Sequence, residues 1–390
     1  MPALLPIVPP SRRAADLILR VEEATTGSRR GEFLAVAHRL YRGDRRWIPP
    51  FKSARRDALR PERNPLLDNA DIGAFLGVAQ NLGLGDEAVG SLAAWPGPGD
   101  FDEDSAAWGY WGLFEAMNVE ELADRLFYEA ENWIFEHTPG IVGIRGPWSL
   151  EPLVAPGLLT DGFDALPTAF LPYNLPYYPE MIEAQGYEPA MTWRIYSLDL
   201  PSSSRREQPP PVTAGGWQGI ARLYSAQDEA QGGGADLVPG LVGWLNHLSG
   251  EANFAFSRSW RSAVGRAFSR ALAVLQAEGE EAGAACFGVP DIGGGLRLSR
   301  GRQFPLGWLL FEIGLRRTRR LRVFPAALPG VWRAGQLAEL YAALAGAAAG
   351  AGYRQLHVAP VPDDDERGQA AMAILGAQPA QQFTVYEKGL

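Results

Sequence analysis

Cysteine is almost missing from this 390-residue chain. Cys286 stands alone, so no intramolecular disulfide can form and no thiolate zinc site can be built. Histidine is nearly as sparse: His38, His137, His247 and His357 are scattered without metal-ligand spacing, which argues against a metal enzyme. No run of about 18 uncharged apolar residues marks a membrane span, and the alanine-rich stretch 340–351 is too short and too small-sided. The apolar start, Met1 to Pro10, is broken by prolines and makes a poor signal peptide, so the cytoplasm is the expected compartment. A basic excess is lacking as well. The net charge of −9 argues against broad binding to nucleic acid, and the run Arg316, Arg317, Arg319, Arg320 and Arg322 reads as a solvated loop before a strand. No Walker loop and no Ser-His-Asp order appears.

What remains is a long aromatic chain. With 46% hydrophobic residues and 12 Trp it can fill two cores. The clearest boundary is Pro201 to Pro211, where serines precede three consecutive prolines that can join neither helix nor ladder. It predicts an N-terminal domain over 1–200, a linker over 201–216 and a C-terminal domain over 217–390, each with its own core.

Both halves read as the same α/β unit. In the first, 74–79 and 88–94 form a strand pair, Trp108 to Phe114 an aromatic strand, and Asn118 with Glu121 caps a helix. Val119, Leu122, Leu126, Ala130, Trp133 and Ile134 make its apolar face, and 141–144 is the next strand. In the second, the strands are 284–289, 321–328, 356–359 and 383–386, with a helix over 337–349. The stretch 321–341 is a strand, a glycine loop and a helix start, which makes a cradle for an anion such as a diphosphate.

This order resembles the GNAT (acyl-CoA N-acyltransferase) fold. Short motifs sharpen the likeness: Tyr41-Arg42-Gly43-Asp44, Trp47-Ile48-Pro49-Pro50, Arg145-Gly146-Pro147, Pro172-Tyr173-Asn174-Leu175-Pro176-Tyr177-Tyr178, Val289-Pro290-Asp291, Phe304-Pro305-Leu306-Gly307-Trp308 and Tyr386-Glu387-Lys388. Together they resemble a bacterial family of tandem GNAT-like proteins from about Tyr41 to the C-terminus. The resemblance implies two GNAT-like domains, each a mixed, splayed sheet flanked by helices.

It also implies acetyl-CoA or acyl-CoA as acyl donor, bound by a Gln/Arg-x-x-Gly-x-Gly/Ala loop. Without a gap this chain gives Trp332-Arg333-Ala334-Gly335-Gln336-Leu337, of which Gly335 alone matches. Arg333, Ala334, Gly335 and Gln336 are therefore the expected diphosphate residues, with Leu337 crowding the approach. The first half has Glu115-Ala116-Met117-Asn118-Val119 at that place and no glycine, so no ordinary CoA loop is expected there.

For catalysis the implied roles are a base for the attacking amine and a tyrosine for the departing thiolate. Glu115, ending the aromatic strand, is the expected base, although a helix-entry acid would look the same. Tyr177 and Tyr386 are the candidate acids. Tyr173, Asn174 and Tyr178 lie in a proline-fixed loop, either an acceptor wall or a plug on the sheet. Glu312 is a second carboxylate read near a strand. Cys286, beside Phe287, reads as buried filler, and Asp363 to Glu366 as a solvated loop.

The expected activity is transfer of an acyl group from acyl-CoA to an amine of a small molecule or peptide, with a homodimer as the assembly to test for. The alternative is an inactive GNAT-like binding or scaffold protein. Transfer from a charged tRNA, as in tandem-GNAT peptidoglycan enzymes, is disfavoured by the acidic balance.

Overall fold

A computed structural model describes residues 18–64, 67, 70–81, 85–97, 107–151, 154–201, 222–225, 272–278, 281–302, 306–327 and 333–390. The linker beyond Pro201, the loop 328–332 and Phe304-Pro305 lie outside them.

The first unit runs β1 (Ile18–Glu23), α1 (Gly27–Leu40), α2 (Lys52–Ala58), β2 (Gly73–Asn81), β3 (Gly85–Pro96), β4 (Ala107–Ala116), α3 (Glu120–His137), β5 (Ile141–Gly146), β6 (Leu158–Asp161), α4 (Tyr178–Glu183) and β7 (Glu188–Asp199). The second runs β8 (Arg222–Ser225), β9 (Leu272–Glu278), β10 (Glu281–Pro290), α5 (Gly293–Ser299), α6 (Gly307–Arg317), β11 (Arg320–Ala327), α7 (Ala334–Gly350), β12 (Gln355–Pro362), α8 (Glu366–Leu375) and β13 (Gln378–Gly389).

One sheet crosses both units, in the order β1-β2-β3-β4-β5-β13-β7-β12-β11-β10-β9-β8, with β6 alongside β13. The order is a palindrome about the β13–β7 pair. On one side β4 and β5 pair in parallel, and on the other β11 and β12 do the same. The closing strands are exchanged. β7, the end of the first unit, pairs with β12, and β13, the end of the second, pairs with β5.

This corrects the expectation of separate cores. Tyr386 of β13 belongs to the core of the first unit, while Tyr196 and Leu200 belong to that of the second. A closing strand satisfies its backbone wherever an antiparallel partner offers an open edge, so exchange and self-closure read identically in local sequence.

The exchanged end is held by charge. Lys388 Nζ lies 2.9 Å from both carboxylate oxygens of Glu131 on α3, and Arg145 Nε lies 2.9 Å from Glu387 Oε2. Arg145 also lies over the Trp108 ring, 3.7 Å from its centroid. Helix α3 lies close on bare strand surface: a Cβ at Gly109 would stand 2.3 Å from Ile134. Its N-cap is Val119, with no side-chain cap; Asn118 is exposed rather than capping.

Strand β4 departs from regularity close to Glu115. Between Ser91↔Glu115 and Ala93↔Gly112 it carries one residue more than β3, and Leu113 takes φ 52°. Its parallel pairing with β5 ends at Tyr110↔Arg145. Beyond that point the ladder stops, although the Trp148 N–H still donates to the Trp111 carbonyl at 2.7 Å, and Glu115 near the end of β4 lines two openings.

Candidate active site

Glu115 sits in the wall between two openings. The first is lined by Leu113, Trp148, the 167–174 loop and, from the second unit, Ile292 and Leu296 of α5. The second is lined by Trp47, His38, Lys52, Arg55, Arg56 and Leu113. Both openings are mostly apolar and aromatic and share Arg55; the second adds Lys52 and Arg56 of α2, which the first lacks.

The carboxyl group is crowded by protein while keeping some access to the cleft. Burial raises its pKa to about 7, against the pull of hydrogen bonds from Tyr41 and Tyr178 and of the Arg55 charge. Tyr178 donates to Glu115 Oε2 at 3.0 Å and accepts the backbone N–H of Ala116 at 2.9 Å. Tyr177 donates to the carbonyl of Ala116 at 2.7 Å. Burial pushes the Tyr41, Tyr177 and Tyr178 phenols well up, so all three stay protonated at neutral pH and can act as donors. Arg55 is itself held by Glu151, 2.7 Å away. A carboxyl balanced near neutrality between two donors is suited to take a proton and give it back.

The structure thus brings together Glu115, Tyr177 and Tyr178, and places Tyr173 at the rim, where its hydroxyl donates to Asp44 and its ring packs against Tyr41 at 5.6 Å. Tyr177 and Tyr178 line neither opening; they stand behind the carboxylate and position it. Asn174 faces the first opening, but its amide is committed to Leu159 and Leu175 backbone, at 2.7, 3.1 and 3.1 Å.

Tyr386 is elsewhere. It is buried in the first core and donates to Glu183 at 3.3 Å, so it lines no second cleft. Glu312 lies on α6, paired with Arg316 at 2.9 Å, rather than near a strand. Arg322, read as solvated, is fully buried, donating to the carbonyls of Val323 and Ala359, and burial lowers its pKa to about 9.

Arg333, Ala334, Gly335 and Gln336 begin α7 in the second unit. Arg333 is the N-cap and Gln336 accepts its backbone N–H at 2.9 Å; a Cβ on Gly335 would meet open space. Leu337 turns into the core and does not crowd the helix start.

These residues cannot share one donor molecule with Glu115. β4 runs parallel to β5, β5 antiparallel to β13, and so on through β7 and β12 to β11, which makes β4 and β11 antiparallel. Their C-terminal ends therefore lie on opposite edges of the sheet, five strand spacings apart, roughly 24 Å across the ladder. In the first unit the usual cradle is closed: the Met117 N–H donates to Val89 at 3.0 Å, and Glu120 and Glu121 occupy the first turn of α3.

A tandem GNAT protein from the clavulanic acid biosynthesis pathway, solved without AcCoA, superposes with a TM-score of 0.52 over 95% of this chain and 98% of its own, at 14% identity. The chain has a tandem GNAT fold. No family model matches it. In sequence it is 24% identical over 383 residues to the bacterial ceramide synthase of Caulobacter vibrioides, covering 92% of this chain and 94% of that protein. It is also 31% identical over 171 residues to protein YghO of Escherichia coli, covering 43% and 42%.

Within the GNAT frame, sequence reasoning missed Tyr41, Arg55 and Glu151. Tyr41 stood in a quoted motif, but nothing in its neighbourhood tied it to Glu115.

Proposed function

We propose that the first unit transfers an acyl group from acyl-CoA to the amine of a long-chain amino alcohol or a similar lipid amine. The observation that carries this reading is Glu115, a carboxyl pushed to about 7 where two largely apolar openings meet, one of them carrying Lys52 and Arg56. The ceramide synthase likeness supports the choice of acceptor, because a ceramide is the amide of such an amine.

In this reading the cations of α2, Lys52 and Arg56, meet the phosphates of the donor, and the first opening takes a hydrocarbon chain. Glu115 accepts a proton from the neutral amine as its nitrogen attacks the thioester carbonyl. The C–N bond forms, the C–S bond breaks, and the proton held by Glu115 goes to the leaving thiolate, giving amide and free thiol. Tyr41 and Tyr178 steady the carboxylate throughout.

The test is incubation of the purified chain with a long-chain acyl-CoA and sphinganine, following thiol release and amide mass together. Both should rise in equal amounts. Tight acyl-CoA binding with no amide from a panel of amines would leave the binding-protein reading standing instead.

A further inference from the structure

Among the described residues helices α5 and α6 have no counterpart in the first unit, where only residues 97–106 separate β3 from β4. They pack backbone to backbone: a Cβ on Gly314 would stand 2.5 Å from Gly295. Their inner side is core. Phe311 meets Phe51 at 5.3 Å between ring centroids, and Leu296 and Leu315 join the same cluster. β10 runs parallel to β4, so the hairpin leaves the sheet at the edge where Glu115 stands, and its Ile292 and Leu296 line the apolar opening.

The outer side is also apolar. Leu306, Trp308, Leu309 and Leu310 are 63%, 47%, 42% and 40% exposed, consecutive large side chains at the start of an exposed helix. Arginines frame them: Arg300 and Arg302 on the preceding turn, Arg316, Arg317 and Arg319 at the far end, all exposed. The turn sits on α2, with the Lys52 N–H bonded to Gly301, and Arg302 adds to the positive field that with burial lowers His38. On a chain of net charge −9 this is a cationic and apolar island. Apolar residues and tryptophan ringed by arginine match a bilayer interface, where rings and aliphatic chains enter below the headgroups and guanidinium groups meet phosphate. At 11 residues α6 spans only ~16 Å, so it would lie in the interface and not cross it.

We infer that the α5–α6 hairpin docks this protein reversibly on an anionic bilayer, presenting the apolar opening beside Glu115 to the lipid surface. The test is flotation with vesicles of phosphatidylcholine alone and of equal parts phosphatidylcholine and phosphatidylglycerol. The wild type floats with the anionic vesicles, weakly with the neutral ones, and less as salt rises. Trp308→Ser with Leu309→Ser lowers that partition by at least about tenfold; Arg300→Gln with Arg302→Gln removes the preference for phosphatidylglycerol. Both pairs are exposed and leave the melting curve unchanged. Glu115→Gln floats like the wild type, which separates docking from acyl transfer. Failure of the wild type to float with anionic vesicles, or equal flotation of the variants, overturns the inference. So does light scattering that shows a dimer broken by the Trp308→Ser pair without vesicle binding, since a second copy would then cover the face.

Discussion

Lys388, on the last strand, is bound to Glu131 in the middle of α3, across 257 positions of sequence and with both N–O distances at 2.9 Å. The pair fastens the last strand of the chain into the sheet of the first unit. Tyr187, beneath the ammonium at 5.5 Å, adds a ring face to the same clamp.

Lys388→Met should therefore destabilise the first unit although it lies in the second. The loss of a charge-assisted bond that leaves Glu131 partly buried costs about 2 kcal/mol. Chemical denaturation checks it, and Glu131→Gln combined with Lys388→Met should cost less than the two single changes added together.

Glu115→Gln keeps the shape of the site and removes the base. Turnover should fall by ~10²–10⁴-fold with little change in the melting temperature. Activity close to that of the wild type would move the catalytic base elsewhere.

The pH dependence follows from the direction of the Glu115 shift. Its pKa in the fold, about 7, lies above the ordinary value of 4.5. The folded protein holds this proton while the unfolded chain has released it, so stability falls as pH rises from about 4.5 to 7. Activity runs the other way: kcat/KM should rise through about 7 as the carboxylate forms. Glu115→Gln should lose its part of the stability slope in that window, as denaturation at several pH values would read.

Tyr178→Phe removes a donor to Glu115 and the acceptor of the Ala116 N–H at one stroke. Leaving that buried N–H unpaired costs ~1–3 kcal/mol. Losing the bond that favours the carboxylate raises the Glu115 pKa further, so the activity midpoint should move to higher pH. A purely structural phenol would lower stability and leave the midpoint in place.

Gly335→Glu tests the separation of the two sheet edges. With open space at Gly335 the variant folds, and turnover at Glu115 should be unchanged. Arg56→Glu, on the second opening, should raise the KM for acyl-CoA severalfold. Loss of turnover in Gly335→Glu would assign the donor to α7 and remove Glu115 from the chemistry.

Much of the α/β order was legible in sequence, because the amphipathic face of α3 and the aromatic strand β4 are local patterns with local causes. Glu115 was legible for the same reason, standing at the end of that strand. Its setting was not. Tyr41, Arg55 and Tyr178 come from three separate segments, and the spacing of none points to the others. The motif Tyr386-Glu387-Lys388 was visible, but its meaning needs Glu131 and Arg145, which only the exchanged strand brings near. Helices α5 and α6 went unassigned in the sequence, because Gly293, Gly294 and Gly295 carry no apolar pattern; in the fold Gly295 is bare so that Gly314 can approach.

The exchange of β7 and β13 also sets the order of events at the ribosome. The N-terminal half emerges first, yet β13, the strand that closes its sheet, is made only after β8 to β12. Until then the edge of β5 stands open beside a nascent β7, a neighbour of matching pattern. The nascent first half therefore has a self-closed state available to it. It must give that state up, or never have taken it, when β13 arrives.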